Sequence, residues 1–281
     1  MTVPRRVRLS TTHHPTEAAG LEYVYAVLSR RAGGASVGVN LSPNRACNWR
    51  CVYCQVPGLV RGASPPIDLD RLEQELDAAL GAAARGELFE GPAQDVVDVA
   101  FSGDGEPTTS PDFAGAVRRV LAVLERRRLS VPVILITNGS RAASPRVQAA
   151  LRELAAHNGV VWFKLDRATR PGMRATNGTA AAPAAHLARL RACALACPTW
   201  VQSCFFERSG EAPEAAEVDA WLEALAGLVR ERVPIRGVLL YTIARPPMQT
   251  PEAAELAPID RPWLESLADR VRALGLVVRV S

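Results

Sequence analysis

The chain has 281 residues, 48% hydrophobic and 22% charged, so it can bury a full core, while none of its apolar runs approaches the roughly 20 residues that span a bilayer. Its N-terminal MTVPRRVRLSTTHHP carries basic residues with no apolar run behind them, so neither a secretory signal nor a membrane partner is expected, and a cytoplasmic location is. In a reducing compartment clustered cysteines point to metal before disulfide. The net charge of +4 permits an anionic partner without demanding one. Lys164 is the only lysine beside a large excess of arginine, which sets it apart as a residue with a chemical use.

In chain order, Ala35–Ser42 reads as a strand and is followed by a loop rich in cysteine. Leu69, Leu72, Leu76 and Leu80 recur at helical spacing, which predicts the first helix. A second strand is expected at Asp95–Ser102. A second helix should start at Ser110-Pro111, with serine as cap and proline in the first turn. Val131–Thr137 and Val160–Asp166 are strands on either side of a helix opened by Ser144-Pro145. A helix over Ala182–Cys197 leads to a strand through Thr199–Phe206, and a helix over Glu214–Arg230 leads to a strand at Gly237–Ile243. The helix Trp263–Leu274 and the strand Leu276–Val280 close the chain. The six strands before that closing unit, joined by crossover helices, predict an α/β fold with a parallel sheet covered by helices, and periodicity leaves an open sheet and a partial barrel both open. No linker or repeat interrupts the pattern, so one domain is expected over 1–281, with a core of about 35–250, an extension over 1–34 and a helix–strand unit over 260–281.

The polar motifs fall at strand ends, where such sheets place their chemistry. The loop NRACNWRCVYCQ holds Cys47, Cys51 and Cys54 as C-x3-C-x2-C. Three thiolates at that spacing can wrap one face of an iron–sulfur cubane, and a [4Fe–4S] cluster lacking a fourth thiolate keeps one open iron. Competing readings are a zinc knot, for which only His13 and His14 offer a fourth ligand, and buried core cysteines. After the second strand, Gly103, Gly105 and Glu106 lie in SGDGEPTTSP, where the glycines allow close backbone approach and Glu106 can accept a charge-assisted bond. A plain glycine turn is the rival. Asn138 lies in TNGS, Lys164 in KLD, Gln202 in VQS and Arg245 in YTIARPP, all at later strand ends. For Asn138 an ordinary Asn-Gly turn competes with a ligand role, and for Lys164 a solvent-reaching lysine does. Cys193, Cys197 and Cys204 suggest a second cluster but sit among alanines or mid-strand, where small apolar cysteine is the commoner use. Arg126, Arg127 and Arg128 fall at a helix end away from the strand ends and read as solvated surface.

The cysteine spacing, with aromatic Tyr53 before the last cysteine, is the signature of the radical S-adenosylmethionine (SAM) superfamily, and the chain resembles it. The later motifs, in the same order, resemble the branch that contains the wyosine-forming tRNA enzymes and uncharacterised bacterial iron–sulfur oxidoreductases. That resemblance spans roughly Gly38 to Pro247. It implies a partial (β/α)6 barrel and two cofactors, a [4Fe–4S] cluster on Cys47, Cys51 and Cys54 and SAM beside it. Tyr53, Gly103, Gly105, Glu106, Asn138, Lys164 and Gln202 would line the SAM site, and the partner would be an electron donor such as flavodoxin or ferredoxin. The implied activity is reductive SAM cleavage to a 5′-deoxyadenosyl radical that takes hydrogen from a substrate. An RNA base, a peptide and a small metabolite all remain open as that substrate. The wyosine-forming relatives carry further cysteines upstream of the trio and this chain has none before Cys47, so that particular activity is not expected to transfer. The alternatives are a zinc-stabilised α/β binding protein and a radical SAM scaffold that is catalytically silent.

Overall fold

The computed structural model describes residues 4–8, 20–29, 32–90, 95–249 and 254–281. The chain begins with an antiparallel pair, β1 (Val24–Ser29) and β2 (Gly34–Val39), and continues through two short strands flanking the cysteine loop, β3 (Ala46–Cys47) and β4 (Val60–Arg61). Helix α1 (Leu69–Ala84) precedes β5 (Val96–Phe101), and α2 (Phe113–Arg126) precedes β6 (Val133–Thr137). Helix α3 (Pro145–Ala156) then leads to β7 (Gly159–Lys164). Two helices, α4 (Arg170–Asn177) and α5 (Pro183–Ala196), separate β7 from β8 (Thr199–Cys204), which runs on into β9 (Phe206–Arg208). The remainder is α6 (Ala215–Arg230), β10 (Ile235–Tyr241), β11 (Leu256–Pro258), α7 (Arg261–Arg272) and β12 (Val278–Val280).

Eight strands form one sheet in the order β1-β2-β5-β6-β7-β8-β10-β12, parallel throughout except for β1 at one edge. The sheet curls into a half-barrel, as expected for a partial (β/α)6 fold. Its handed helices pack outside, because alternate residues of each strand point there. Val99, Phe101, Val133, Leu135, Val161, Phe163, Val201, Val238 and Leu240 are fully buried in the core between sheet and helices. The intervening residues Ala100, Ile134, Trp162 and Leu239 form a separate cluster on the concave face.

Local signals account for most helix ends. Asp68 caps α1 by accepting from the Asp70 and Arg71 amides, Ser144 caps α3 from the Val147 amide, and Asp260 caps α7 from the Trp263 amide. Helix α2 starts at Phe113, later than Ser110-Pro111, because a 3-10 turn at Pro107–Thr109 consumes the strand end first; Ser110 Oγ accepts from the Asp112 amide instead. Strand β1 and helix α4 are additions to the sequence expectation. Helix α4 nevertheless carries its own start and stop signals: Thr169 accepting from the Gly172 amide, Pro171 in the first turn, and Gly178 in the left-handed region at φ 59°.

Cys193 and Cys197 are buried in the outer core and Cys204 at the concave side, and no disulfide joins any of the cysteines. Arg126 and Arg127 pair with Glu73 and Asp77 of α1 on the outer surface, as a solvated helix end should. Among the described residues no helix is long and apolar enough to cross a membrane.

The deepest tie between helix layer and strand ends is Trp221 of α6, fully buried, whose Nε1 donates to the Leu165 carbonyl at 2.8 Å. Trp221→Phe leaves that carbonyl with Ser203 Oγ, 2.7 Å away, as its side-chain donor and opens a void in the core, and should cost about 1–3 kcal/mol in chemical denaturation.

Candidate functional site

A cavity of about 350 Å³ opens at the C-terminal ends of the parallel strands, on the concave face. The pleat decides what reaches it. Asp98, Ala100 and Ser102 enter from β5 and its end, Ile134, Ile136 and Asn138 from β6, Trp162 and Lys164 from β7, Gln202 and Cys204 from β8, and Tyr241 from β10. Cys47, Cys51 and Cys54 line the same cavity, with Tyr53, Gly103, Gly105, Glu106 and Arg245. Every residue singled out in the sequence for this pocket is therefore brought together.

The cysteine loop has almost no regular structure and is held from several sides. Asn138 Nδ2 donates to Asn48 Oδ1 at 2.9 Å, and Asn48 Nδ2 donates to Ser140 Oγ at 2.7 Å. The amides of Arg50 and Val52 donate to the Asn177 and Thr176 carbonyls at the end of α4, both at 2.9 Å. Gln55 Nε2 donates to the Arg245 carbonyl at 2.9 Å, and the Met248 amide to the Cys54 carbonyl at 2.9 Å. Below the loop, buried His186 lies between the rings of Trp49 and Phe163, 5.2 and 4.8 Å away between centroids, with Nε2 2.8 Å from the Lys164 carbonyl.

Asp166, 1% exposed, ties three of these pieces together. Its Oδ2 accepts from Tyr53 Oη at 2.5 Å and from Asn177 Nδ2 at 2.7 Å, and its Oδ1 accepts from the Cys204 amide at 2.8 Å. Asn177 Nδ2 also lies 3.3 Å from Cys51 Sγ, so the same amide group reaches a candidate cluster ligand. Neither Asp166 nor Asn177 was singled out as a site residue, although KLD named the first and the N-G step after Thr176 marked the second as a helix stop.

The glycines, which line the cavity, also have a task within the fold. Gly103 has φ +115°, and a Cβ there would meet the Asn40 side chain, whose Oδ1 accepts from the Ser42 and Asp104 amides. A Cβ on Gly105 would run into the Ala46 carbonyl and Ser42 Oγ. Both absences thus let the β5 loop seat against the segment leading into the cysteines.

Glu106, 2% exposed, is also largely engaged by protein. Its Oε1 accepts from the Thr108 amide at 3.2 Å and from both Thr108 and Thr137 hydroxyls at 2.5 Å, while Oε2 accepts from the Asn138 amide at 2.6 Å. Burial pushes its carboxyl above the usual carboxylate range, and these four donors oppose that shift. Oε2, with a single donor, is the atom left for a ligand.

On the opposite wall, Lys164 Nζ stands 4.9 Å from the Tyr53 ring centroid and 3.4 Å from Tyr241 Oη, which also accepts from Gln202 Nε2 at 3.1 Å. Burial works against the ammonium charge, but the Tyr241 phenol and the Asp166 carboxylate outweigh it and hold Lys164 well above the ordinary lysine range. Gln202 Oε1 is buried at the cavity wall without a hydrogen-bond partner among the described residues, an acceptor that a bound ligand can satisfy.

Burial pushes the Cys47 and Cys51 thiols up to about 12. Among the described residues no three His, Cys, Asp or Glu side chains are placed to hold a single metal ion. Three thiols spread round one cavity suit a cluster whose thiolates sit on separate irons, with protons released as the thiolates bind. His13 and His14 lie outside the described residues.

A curled parallel half-barrel with a cysteine trio at its strand ends defines the radical SAM class of fold. Residues 41–169, a little under half of the chain, match the family model of the radical SAM superfamily, whose members use a [4Fe–4S] cluster and SAM. Among curated proteins, the chain is similar to the UPF0026 protein of Helicobacter pylori (strain ATCC 700392 / 26695), 30% identical over 141 residues, which is 50% of this chain and 41% of that protein. The chain thus spans less than half the length of that relative. Among solved structures it resembles a radical SAM methyltransferase from Sphaerobacter thermophilus, with a TM-score of 0.59 at 15% identity over 92% of this chain and 68% of that one. It also resembles TYW1 with a lysine-pyruvate adduct bound, with a TM-score of 0.56 at 13% identity over 89% and 84% of the two chains.

Asp166→Asn leaves one acceptor oxygen where Tyr53, Asn177 and the Cys204 amide now share two. Iron and acid-labile sulfide per chain after reconstitution should fall by more than about half while far-UV circular dichroism is kept. His186 supplies a second check. Burial depresses its pKa to about 4, so the unfolded chain takes up its proton first as pH falls. Its stability contribution is complete above pH 6.5 and is lost progressively down to pH 4, about 3 kcal/mol in all. His186→Phe should flatten the stability–pH curve in that window relative to the unsubstituted chain.

Proposed function

We infer that the chain is a radical SAM enzyme in which Cys47, Cys51 and Cys54 hold the cluster and the remaining cavity residues hold SAM beside it. The observation that carries this is the convergence of all three thiols with Glu106, Asn138, Lys164 and Gln202 on one cavity. When bound, the cluster and SAM supply the chemistry of a 5′-deoxyadenosyl radical, formed by one-electron reductive cleavage and used to abstract hydrogen.

The chain's own residues bind, orient and exclude water. Glu106 Oε2 is placed to accept from the SAM ammonium, and Lys164, kept protonated, to pair with its carboxylate. Gln202 Oε1 and Asn138 offer polar contacts farther along the wall. Ala100, Ile134 and Trp162, clustered with Leu239, give the cavity an apolar floor that keeps a reactive intermediate away from water and from exchangeable groups. Asp98, 3% exposed and accepting from Ser36 Oγ, stands on the same floor and is the polar feature available to a substrate there. The electron donor is a small redox protein such as flavodoxin or ferredoxin. The substrate class stays open among an RNA base, a peptide and a metabolite.

Anaerobic reconstitution followed by SAM and dithionite should give brown protein that forms 5′-deoxyadenosine, and Cys51→Ala should abolish that product. Zinc in stoichiometric amount with no cluster, or brown protein that forms no 5′-deoxyadenosine, would overturn the enzyme reading.

A further inference from the structure

Arginine is used in two ways on this molecule. On the outer helices most of it is paired, although Arg146 and Arg152 of α3 and Arg189 of α5 form no ion pair among the described residues. Arg71 of α1 pairs with Glu22 and Glu75, Arg119 and Arg126 of α2 with Glu73 and their neighbours, Arg191 of α5 with Glu231, Arg230 of α6 with Glu223, and Arg270 and Arg272 of α7 with Asp219, Asp269 and Glu265. Four arginines beside the cysteine loop, Arg50, Arg61, Arg174 and Arg208, also form no ion pair among the described residues.

These four are contiguous, because each touches the C-terminal turn of α4. Arg61 Nη2 donates to the Gly178 carbonyl at 2.7 Å and Arg208 Nη2 to the Ala175 carbonyl at 3.2 Å. The Arg50 amide donates to the Asn177 carbonyl, and Arg174 belongs to the turn itself, its carbonyl accepting from the Gly178 amide. Arg61 and Arg208 each use one guanidinium N–H in these contacts and Arg50 Nη2 donates to the Gln249 carbonyl at 3.4 Å, so most of the donors and the full charge stay at the surface. Arg50, Arg61 and Arg174 are exposed. The carboxylates of Glu207, Glu211 and Glu255 on the β9–β11 pair border the patch beside Arg208 and approach none of the four within ion-pair distance.

Position decides what such a patch would receive. None of the four lines the cavity, so they do not serve a ligand that enters it. Arg50 lies inside the cysteine motif itself, next to Cys51, and its amide ties the loop to the end of α4 that Arg61 and Arg208 also contact. An electron bound for the cluster can enter from that side without crossing the cavity where SAM and substrate sit. We propose that Arg50, Arg61, Arg174 and Arg208 form the docking surface for an acidic protein that carries a one-electron cofactor. This rests on the cluster reading above. One electron passes from the reduced carrier to the cluster; no bond forms or breaks, and the carrier departs oxidised by one electron. Long-range attraction between the acidic carrier and the arginines steers the encounter, and salt screens it.

The test uses the full chain, reconstituted anaerobically, with an acidic flavodoxin and an acidic ferredoxin as probes. Calorimetry should show binding of at least one oxidised probe that weakens as salt rises. The double variant Arg61→Glu/Arg174→Glu, which leaves the cysteines and cavity residues in place, should lower both the affinity and the rate at which the reduced probe bleaches the cluster by at least about tenfold. Bleaching by dithionite should be unchanged. Equal affinity and equal bleaching in the variant, or no binding of either probe to the unsubstituted chain, would overturn the proposal. So would a variant that loses binding of a single-stranded RNA oligonucleotide while keeping the flavodoxin rate, because the patch would then be a nucleic-acid surface. A chain that gains no cluster, or whose cluster dithionite cannot bleach, would count against the cluster reading itself, while the calorimetry would still judge the surface.

Discussion

The structure depends on how an irregular loop carrying three cysteines is kept in one conformation at the end of a sheet. A buried carboxylate does much of it. Asp166 accepts from the hydroxyl of Tyr53 in the loop, the side-chain amide of Asn177 at the end of α4 and the backbone of Cys204 on β8. Its charge is met by hydrogen bonds to all sides rather than by water, which makes the arrangement cooperative: removing one donor leaves a buried acceptor under-satisfied. Lys164 and Arg167, the residues two before and one after, keep cationic character close by. Arg167 donates to the Asp166 carbonyl at 2.6 Å and packs against the rings of Phe205 and Phe206.

How much of this the sequence discloses follows from the strand pleat. Once Val160–Asp166 is read as a strand with Val161 and Phe163 facing the helices, Trp162 and Lys164 have to face the cavity, and the same parity sends Gln202 there. The cysteine trio was legible from spacing alone. Strand β1 was not, because VYAVLS pairs antiparallel with its neighbour across a short turn and precedes the repeating strand–helix pattern that made the other strands visible. Nor was the purpose of the glycines. Gly103 and Gly105 advertise close approach, but only coordinates show that the approaching atoms are the Asn40 side chain and the Ala46 carbonyl.

The same limit explains why Glu106 reads differently in the fold. A glutamate after G-x-G invites a ligand role, and nothing in the one-dimensional pattern reveals that Thr108 and Thr137 hydroxyls and two amides will converge on it from two strand ends. Its first task is to lock the β5 and β6 loops together, and a ligand meets a carboxylate already fixed in orientation. A preorganised acceptor costs less to use than a mobile one, since its desolvation and ordering occur on folding.

Charge across the cavity then has a direction. Asp98, Asp104 and Glu106 come from β5 and its following loop, whereas Lys164 and Arg245 come from the far side, on β7 and after β10. The two walls differ in sign because each follows a different strand of the half-barrel, and the curl of the sheet turns them toward each other. A ligand with an ammonium at one point and a carboxylate at another meets complementary walls in one orientation and repulsive walls in the other. Orientation is therefore biased by the order of the strands before any single contact is made.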